Sequence, residues 1–379
     1  MPQSNRSSPR VGFLNRRRNS TISDTKILSP KQLNGIENHQ YASEGNTLLD
    51  PIMQVFWNWV VGLVPFWVAP NMITIVGLIL NAIGGVLLCV YFPGAYSEES
   101  EEEDEDRPTR SLRYLFLLKA ITLFLYQTLD AIDGKQARRT NSSSPLGELF
   151  DHGMDSISTA LVGISLMIAI NAGHEPHLML IFLVFISTAF YLAHWSTFIT
   201  GKLEFSFIDV TEAQFMSIGM LLVSFIFGPE IWDTFIPFSK FPIRYVIYLS
   251  LLTNFCSRMK EHLDRVIAGG AGPNGSTVAG SSVLGPIQPL LFLYFLVLLI
   301  YIGDSSIMHN YPVAFGMTVM LCFSKVSNKL IVAHMSKTGM NHFDSIYFGL
   351  FMVLLNVYLK ELVSNEWMVF GRGWVFLNF

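Results

Sequence analysis

The fold the sequence predicts is an all-α, polytopic integral membrane bundle, and three observations predict it. Hydrophobic residues make up 51% of the 379-residue chain against 14% charged, with a mean hydropathy of +0.41, more than the core of a soluble domain needs. Apolar runs of about 17 to 25 residues, the length that crosses a bilayer as a helix, recur along the chain. Lys and Arg fall unevenly between alternate connections, as they do in proteins whose loops are sorted by the positive-inside bias.

In chain order, residues 1–45 are polar, include "NRRRNS" (Asn15 to Ser20), and lack the apolar core of about 7 to 15 residues that a signal peptide carries. They read as a disordered cytosolic tail ahead of a membrane domain over residues 46–379. Asp50 to Trp67 mixes Phe56, Trp57, Trp59, Phe66 and Trp67 with aliphatic residues, the pattern of an amphipathic segment at the membrane interface. Spanning helices are then expected near 72–92, 112–130, 153–171, 178–199, 212–228, 242–257, 285–303, 311–332 and 343–362. With 366–379 as a short extra candidate, about nine or ten spans result. Ala268 to Ser282, rich in Gly and Ser, reads as a flexible linker; without a GKS or GKT it is no nucleotide loop. The acidic run Glu98 to Asp106 reads as a solvated insertion with no chemistry of its own.

Composition also excludes several classes. A net charge of −4 with no basic patch gives no footprint of nucleic-acid binding. Cys89, Cys256 and Cys322 lie in or beside apolar segments without CxxC spacing, so neither a disulfide framework nor a zinc site is indicated. With the N-terminal tail placed in the cytosol, loops on that side hold ten basic residues: Lys135, Arg138, Arg139, Lys202, Arg258, Lys260, Arg265, Lys325, Lys329 and Lys337. The opposite loops hold five, Arg107, Arg110, Arg113, Lys240 and Arg244. The sequons at Asn5, Asn19, Asn141 and Asn274 all fall on the cytosolic side, so no N-glycan is expected.

The chemistry concentrates between Asp130 and Asp155. Asp130 and Asp133 are three residues apart and Asp151 and Asp155 four, so on two helices each pair projects from one face. "TNSSSP" (Thr140 to Pro145) is a turn-rich break that ends one helix and lets the next begin near Leu146, bringing the pairs together across a hairpin. Four carboxylates at one site repel unless cations neutralise them, and two divalent hard cations, Mg2+ first, match their charge and oxygen ligands. Gly134, Ala137, Gly147 and Gly153 keep one side of the hairpin thin enough for a bulky ligand.

Asp130-x2-Asp133-Gly134-x2-Ala137-Arg138-x8-Gly147-x3-Asp151-x3-Asp155 resembles the complete signature of the CDP-alcohol phosphotransferases. Similarity extends to "PNMIT" (Pro70 to Thr74), to Ala193–Gln214 and to "VAHMSK" (Val332 to Lys337), and is greatest with the eukaryotic choline/ethanolamine branch. The resemblance implies transfer of phosphocholine or phosphoethanolamine from the CDP-alcohol to diacylglycerol, giving phosphatidylcholine or phosphatidylethanolamine and CMP. It implies two Mg2+ ions held by Asp130, Asp133, Asp151 and Asp155, with Mn2+ as a substitute. It also implies a homodimer in the endoplasmic reticulum, or alternatively the Golgi, with the site facing the cytosol.

Within that reading Arg138 binds the nucleotide phosphate and Asn71 the nucleotide, with helix capping as the alternative role for Asn71. Gly134, Ala137 and Gly147 border the substrate. The diacylglycerol hydroxyl needs a base, and His152 suits it better than Asp155, whose lone pairs a metal engages. Glu148, four residues before His152, orients the imidazole or binds the CDP-alcohol. The alternatives are an ethanolamine-only specificity and, from a different class, a cation transporter.

Overall fold

The computed structural model describes residues 28–97 and 112–359. The acidic run and the 366–379 candidate span lie outside the described residues. Helix α1 (Pro30–Glu37) and the two-residue strand β1 (Ser43–Glu44) lead into α2 (Asp50–Leu63) and the long helices α3 (Pro70–Tyr91), α4 (Tyr114–Arg139), α5 (Pro145–Ala169) and α6 (Pro176–Thr200). Strand β2 (Leu203–Glu204) precedes α7 (Val210–Phe227), α8 (Arg244–Ala268), α9 (Gln288–Gly303), the short α10 (Ser306–Asn310), α11 (Pro312–Ser336) and α12 (Ile346–Tyr358). Proline opens α3, α5, α6 and α11, where its missing N–H costs nothing and its fixed φ suits the first turn.

Seven helices among the described residues are long and apolar enough to cross a membrane: α3, α4, α5, α6, α7, α9 with its preceding turn, and α11. Nine or ten were expected, of which the end of the ninth and the whole of the tenth lie at 360–379, outside the described residues. The run at 242–257 belongs to α8, whose second half carries Arg258, Lys260, Glu261, Asp264 and Arg265 and so falls short in hydropathy. The run at 343–362 yields α12, only 13 residues long. The chain is an integral membrane protein built as an all-α bundle.

Helix α3 shows how its pattern reads inside a membrane. Val76, Ile79, Ile83, Val86 and Val90 are exposed, while Ile73, Asn81 and Leu88 are buried. The exposed set repeats at steps of three and four and the buried set, with Gly77 and Gly84 between its members, does the same, so one apolar stripe faces outward and the polar atoms face the bundle. Helix α3 runs along α4 and touches α5; α11 covers α5 from the other side; α7 lies on α4 and α8 on α6. The core between them includes Leu88, Phe116, Leu123, Tyr126, Ile164 and Met167.

Two stretches expected to be loose are docked. Of the tail assigned as disordered, residues 28–45 hold α1, which packs on α11, and β1, which pairs in parallel with β2. Gly35 makes the first contact possible, since a Cβ there would lie 2.0 Å from the Ser336 carbonyl oxygen. The Gly-rich linker is tied to the end of α6: the Ala271 and Val278 N–H groups donate to the Ile199 and Phe198 carbonyls at 2.9 and 3.1 Å.

Candidate active site

Helices α4 and α5 are consecutive and antiparallel, and the break between them is built as expected. Thr140 ends α4; Ser144 caps α5 by accepting from the Gly147 N–H at 3.1 Å, one of the free donors of a helix start. The hairpin therefore brings the last turns of α4, with Asp130 and Asp133, against the first turns of α5, with Asp151 and Asp155. Carboxylate oxygens of Asp130, Asp133 and Asp151 lie within 4.8 Å of one another, as do ligand atoms of Asp151, His152 and Asp155. Asp151 belongs to both groups, so one continuous donor set contains all four aspartates.

The carboxylates are held from behind. Thr74, in the first turn of α3, donates to Asp133 Oδ2, and Tyr126 donates to Asp155 Oδ1 at 2.6 Å. Asp130 Oδ1 and Asp151 Oδ1 are buried with no hydrogen-bond partner. A buried carboxylate oxygen left unpaired is costly, and here two converge with other acids inside a bundle. Hard oxygen donors, negative and unsatisfied, fit divalent cations.

His152 follows Asp151. Its Nδ1 lies 3.9 Å from Asp155 Oδ2 and its Nε2 4.0 Å from Glu148 Oε1, near both acids and bonded to neither. Glu148 is instead engaged by His39, whose Nε2 sits 3.0 Å from the same Oε1. These groups line a cavity together with Tyr41, His194 and His334. The His152 and His194 rings meet edge to face at 5.4 Å. Burial pushes the Tyr41 phenol up, and the carboxylates of Glu148, Asp151 and Asp155 push it the same way. His39 and Tyr41 escaped the sequence reading because they lie in a polar segment more than a hundred residues from Glu148, without periodicity. His194 and His334 are at the cavity wall.

The remaining expected residues lie on the last turns of α4 and the first turns of α3 and α5. Asn71 is not the cap of α3, since that place is taken by Ala69; its side chain is exposed and faces Gly147, where a Cβ would lie 3.5 Å from Asn71 Oδ1. Arg138 is exposed, and its guanidinium passes Gly134, where a Cβ would lie 3.7 Å from Nη1. Ala137 is half-buried one turn beyond Asp133. Arg139 differs from its neighbour: it donates to the carbonyls of Val61 and Val64 and stacks over Phe66 at 4.5 Å, fastening the end of α2. Lys202 pairs with Glu44 at 3.3 Å and Lys325 with Asp344 at 3.3 Å, away from the aspartates.

Residues 67–252 match the CDP-alcohol phosphatidyltransferase family. The chain is 40% identical over 343 residues to cholinephosphotransferase 1 of Xenopus laevis, covering 89% of this chain and 81% of that protein. It is 37% identical over 354 residues to cholinephosphotransferase 1 of Homo sapiens, covering 93% and 84%. An uncharacterized CDP-alcohol phosphatidyltransferase class-I family protein 2 of Dictyostelium discoideum is 29% identical over 360 residues, covering 91% and 81%.

Proposed function

Because the chain belongs to the CDP-alcohol phosphatidyltransferase family, we propose that it transfers phosphocholine from CDP-choline to diacylglycerol, and phosphoethanolamine from CDP-ethanolamine as a second substrate. One observation carries the mechanism: four aspartates converge at one end of the bundle, two with an unpaired buried oxygen. The structure supports a donor set of Asp130, Asp133, Asp151 and Asp155 for two Mg2+ ions, with Mn2+ as a substitute. When bound, these neutralise the diphosphate and the charge that develops on CMP.

The protein's own groups do the rest. Arg138, exposed and without an ion-pair partner among the described residues, binds the nucleotide phosphate bidentately. Asn71 holds the nucleotide beside Gly147, where the absence of a Cβ leaves room. Glu148, fixed by His39, faces the Nε2–H of His152 and favours the tautomer that keeps the proton there, which leaves the Nδ1 lone pair on the aspartate side. That nitrogen accepts the proton of the diacylglycerol hydroxyl as its oxygen bonds to the β-phosphorus; the bond to the bridging oxygen breaks and CMP departs. The product is phosphatidylcholine or phosphatidylethanolamine.

The placement suits reactants from two phases. The acids stand at helix ends, where a water-soluble nucleotide and a bilayer-borne alcohol can meet. The same placement argues against a cation transporter, whose intramembrane acids belong near the midplane. The basic-residue asymmetry puts this end in the cytosol, and we assign the protein to the endoplasmic reticulum, with the Golgi as the alternative, as a homodimer. Purified protein with radiolabelled CDP-choline, diacylglycerol and Mg2+ is expected to release CMP and labelled lipid; release of neither would sink the reading. Competition by CDP-ethanolamine measures the second specificity.

A further inference from the structure

Lys119 lies in the middle of α4 with none of its surface exposed. Its ammonium donates to the Asn81 backbone carbonyl at 3.1 Å and to Asn81 Oδ1. No carboxylate among the described residues pairs with it. A cation buried inside a membrane bundle without a counter-ion is costly, so its retention calls for a use.

Following the hydrogen bonds outward gives one. An ammonium can only donate, so Asn81 must present its oxygen to Lys119, which turns its amide nitrogen the other way. That Nδ2 donates to Ser158 Oγ at 2.8 Å. Ser158 has thereby filled an acceptor site and keeps its own proton free, with the Tyr126 hydroxyl its neighbour on the Asp155 side. Tyr126 in turn donates to Asp155 Oδ1 at 2.6 Å. On both sides of the Ser158–Tyr126 contact the hydrogen bonds point from Lys119 toward Asp155. Hydrogen bonds aligned this way polarise one another in a low dielectric.

The helices are shaped for it. Lys119 and Tyr126 are seven residues, about two turns, apart on one face of α4, and Ser158 is one turn beyond Asp155 on α5. Asn81 comes from α3, which is brought close by Gly84: a Cβ there would lie 2.4 Å from Thr122 Oγ1 and 3.1 Å from Lys119 Cα. Three helices thus share one buried polar line among apolar packing.

We infer that Lys119, Asn81, Ser158 and Tyr126 form one buried polar line, anchored by Lys119 and closed by the Ser158–Tyr126 contact, that holds the Asp155 carboxylate so that Oδ2 is presented to a divalent cation. These are positioning residues; none touches substrate. The inference rests on the reading of Asp155 as a metal ligand.

Mn2+ binding to the purified full chain in nanodiscs, followed by electron paramagnetic resonance without substrate, tests it. Lys119→Met is expected to weaken Mn2+ binding about tenfold, as losses behind a metal ligand do, and to raise the metal requirement of turnover while kcat recovers at saturating Mn2+. Ser158→Ala, which removes one hydroxyl and so disturbs the fold less than Lys119→Met, is expected to do the same. Tyr126→Phe combined with Ser158→Ala should weaken binding no more than the worse single change, because both break one line. Unchanged or tighter binding in Ser158→Ala, or additive losses in the double variant, would overturn the inference. Tighter binding in Lys119→Met would mean the lysine acts only as a repelling charge. Wild-type protein that binds no Mn2+ would overturn the metal-centre reading itself, and the inference with it.

Discussion

His152 and Asp155 are three residues apart and within 3.9 Å, yet their surroundings give them different tasks. Asp155 has one oxygen occupied by Tyr126 and the other beside Asp151 and His152, the position of a ligand. Among the described residues His152 has no hydrogen-bond partner, and it has two acids nearby, the position of a group free to take and release a proton. His152→Ala should therefore lower kcat by about 10²–10⁴-fold, the usual worth of a general base, with Mn2+ affinity retained. Asp155→Asn should lose metal affinity first. Steady-state rates across a Mg2+ titration separate the two; normal turnover in His152→Ala would return the base to Asp155. Adjacent arginines make a second contrast. Arg138→Ala removes an exposed group and should raise KM for CDP-choline about tenfold, the scale of a lost charged hydrogen bond, without altering the melting temperature. Arg139→Ala leaves KM in place and lowers the melting temperature, because it frees the Val61 and Val64 carbonyls that anchor α2.

At the level of elements, the α4–α5 hairpin was legible in the sequence because all its signals are local. The paired spacing, the turn residues from Thr140 and the proline at 145 lie within one stretch, and the structure differs from the expected start of α5 by one residue. What joins distant elements was not legible. Nothing around Thr74, Asn81 or Lys119 announces a partner, and His39 meets Glu148 only because α1 docks on α11, through Gly35 against a backbone carbonyl and one buried apolar residue, Ile36, against Ile331 and Met335, too short a pattern to read as an apolar stripe. The polar composition of residues 28–45 is that of a tail, and composition does not report such docking. Helix α8 shows a related limit: hydropathy over 242–257 sees its apolar half and not the charged half that continues the same helix. Helix α1 is also a removable part. Gly35→Ala should push α1 from the Ser336 carbonyl, expose the segment to protease and lower kcat about tenfold by freeing Glu148 from His39, as a lost charged hydrogen bond would. His39→Ala should match that kinetic loss without the protease sensitivity. Equal kcat in both variants and wild type would leave α1 with a purely structural part.

For the molecule as a whole, the site sets function against stability. Four carboxylates held together inside a bundle repel one another, and two have an oxygen with no partner, so the metal-free protein carries an unfavourable charge that packing elsewhere must offset. Divalent cations relieve it. Ligand that binds only the folded state stabilises by mass action, about 2.7 kcal/mol at a hundred times Kd. In a chain of this size that shifts the melting temperature by roughly 2–4 °C. Two results are then expected from thermal unfolding in detergent or nanodiscs. Stripping metal with EDTA lowers the melting temperature of the wild type, and Mg2+ restores it. Replacing Asp130, Asp133, Asp151 and Asp155 together by Asn abolishes turnover and the response to Mg2+, while the metal-free variant melts above the metal-free wild type, because the repulsion is gone and each amide can pair with a neighbour. A quadruple variant that melts lower than EDTA-treated wild type would mean that the carboxylates hold the hairpin together without cations, through shared protons or the Thr74 and Tyr126 bonds alone, and the case for a two-cation centre would lose its electrostatic footing.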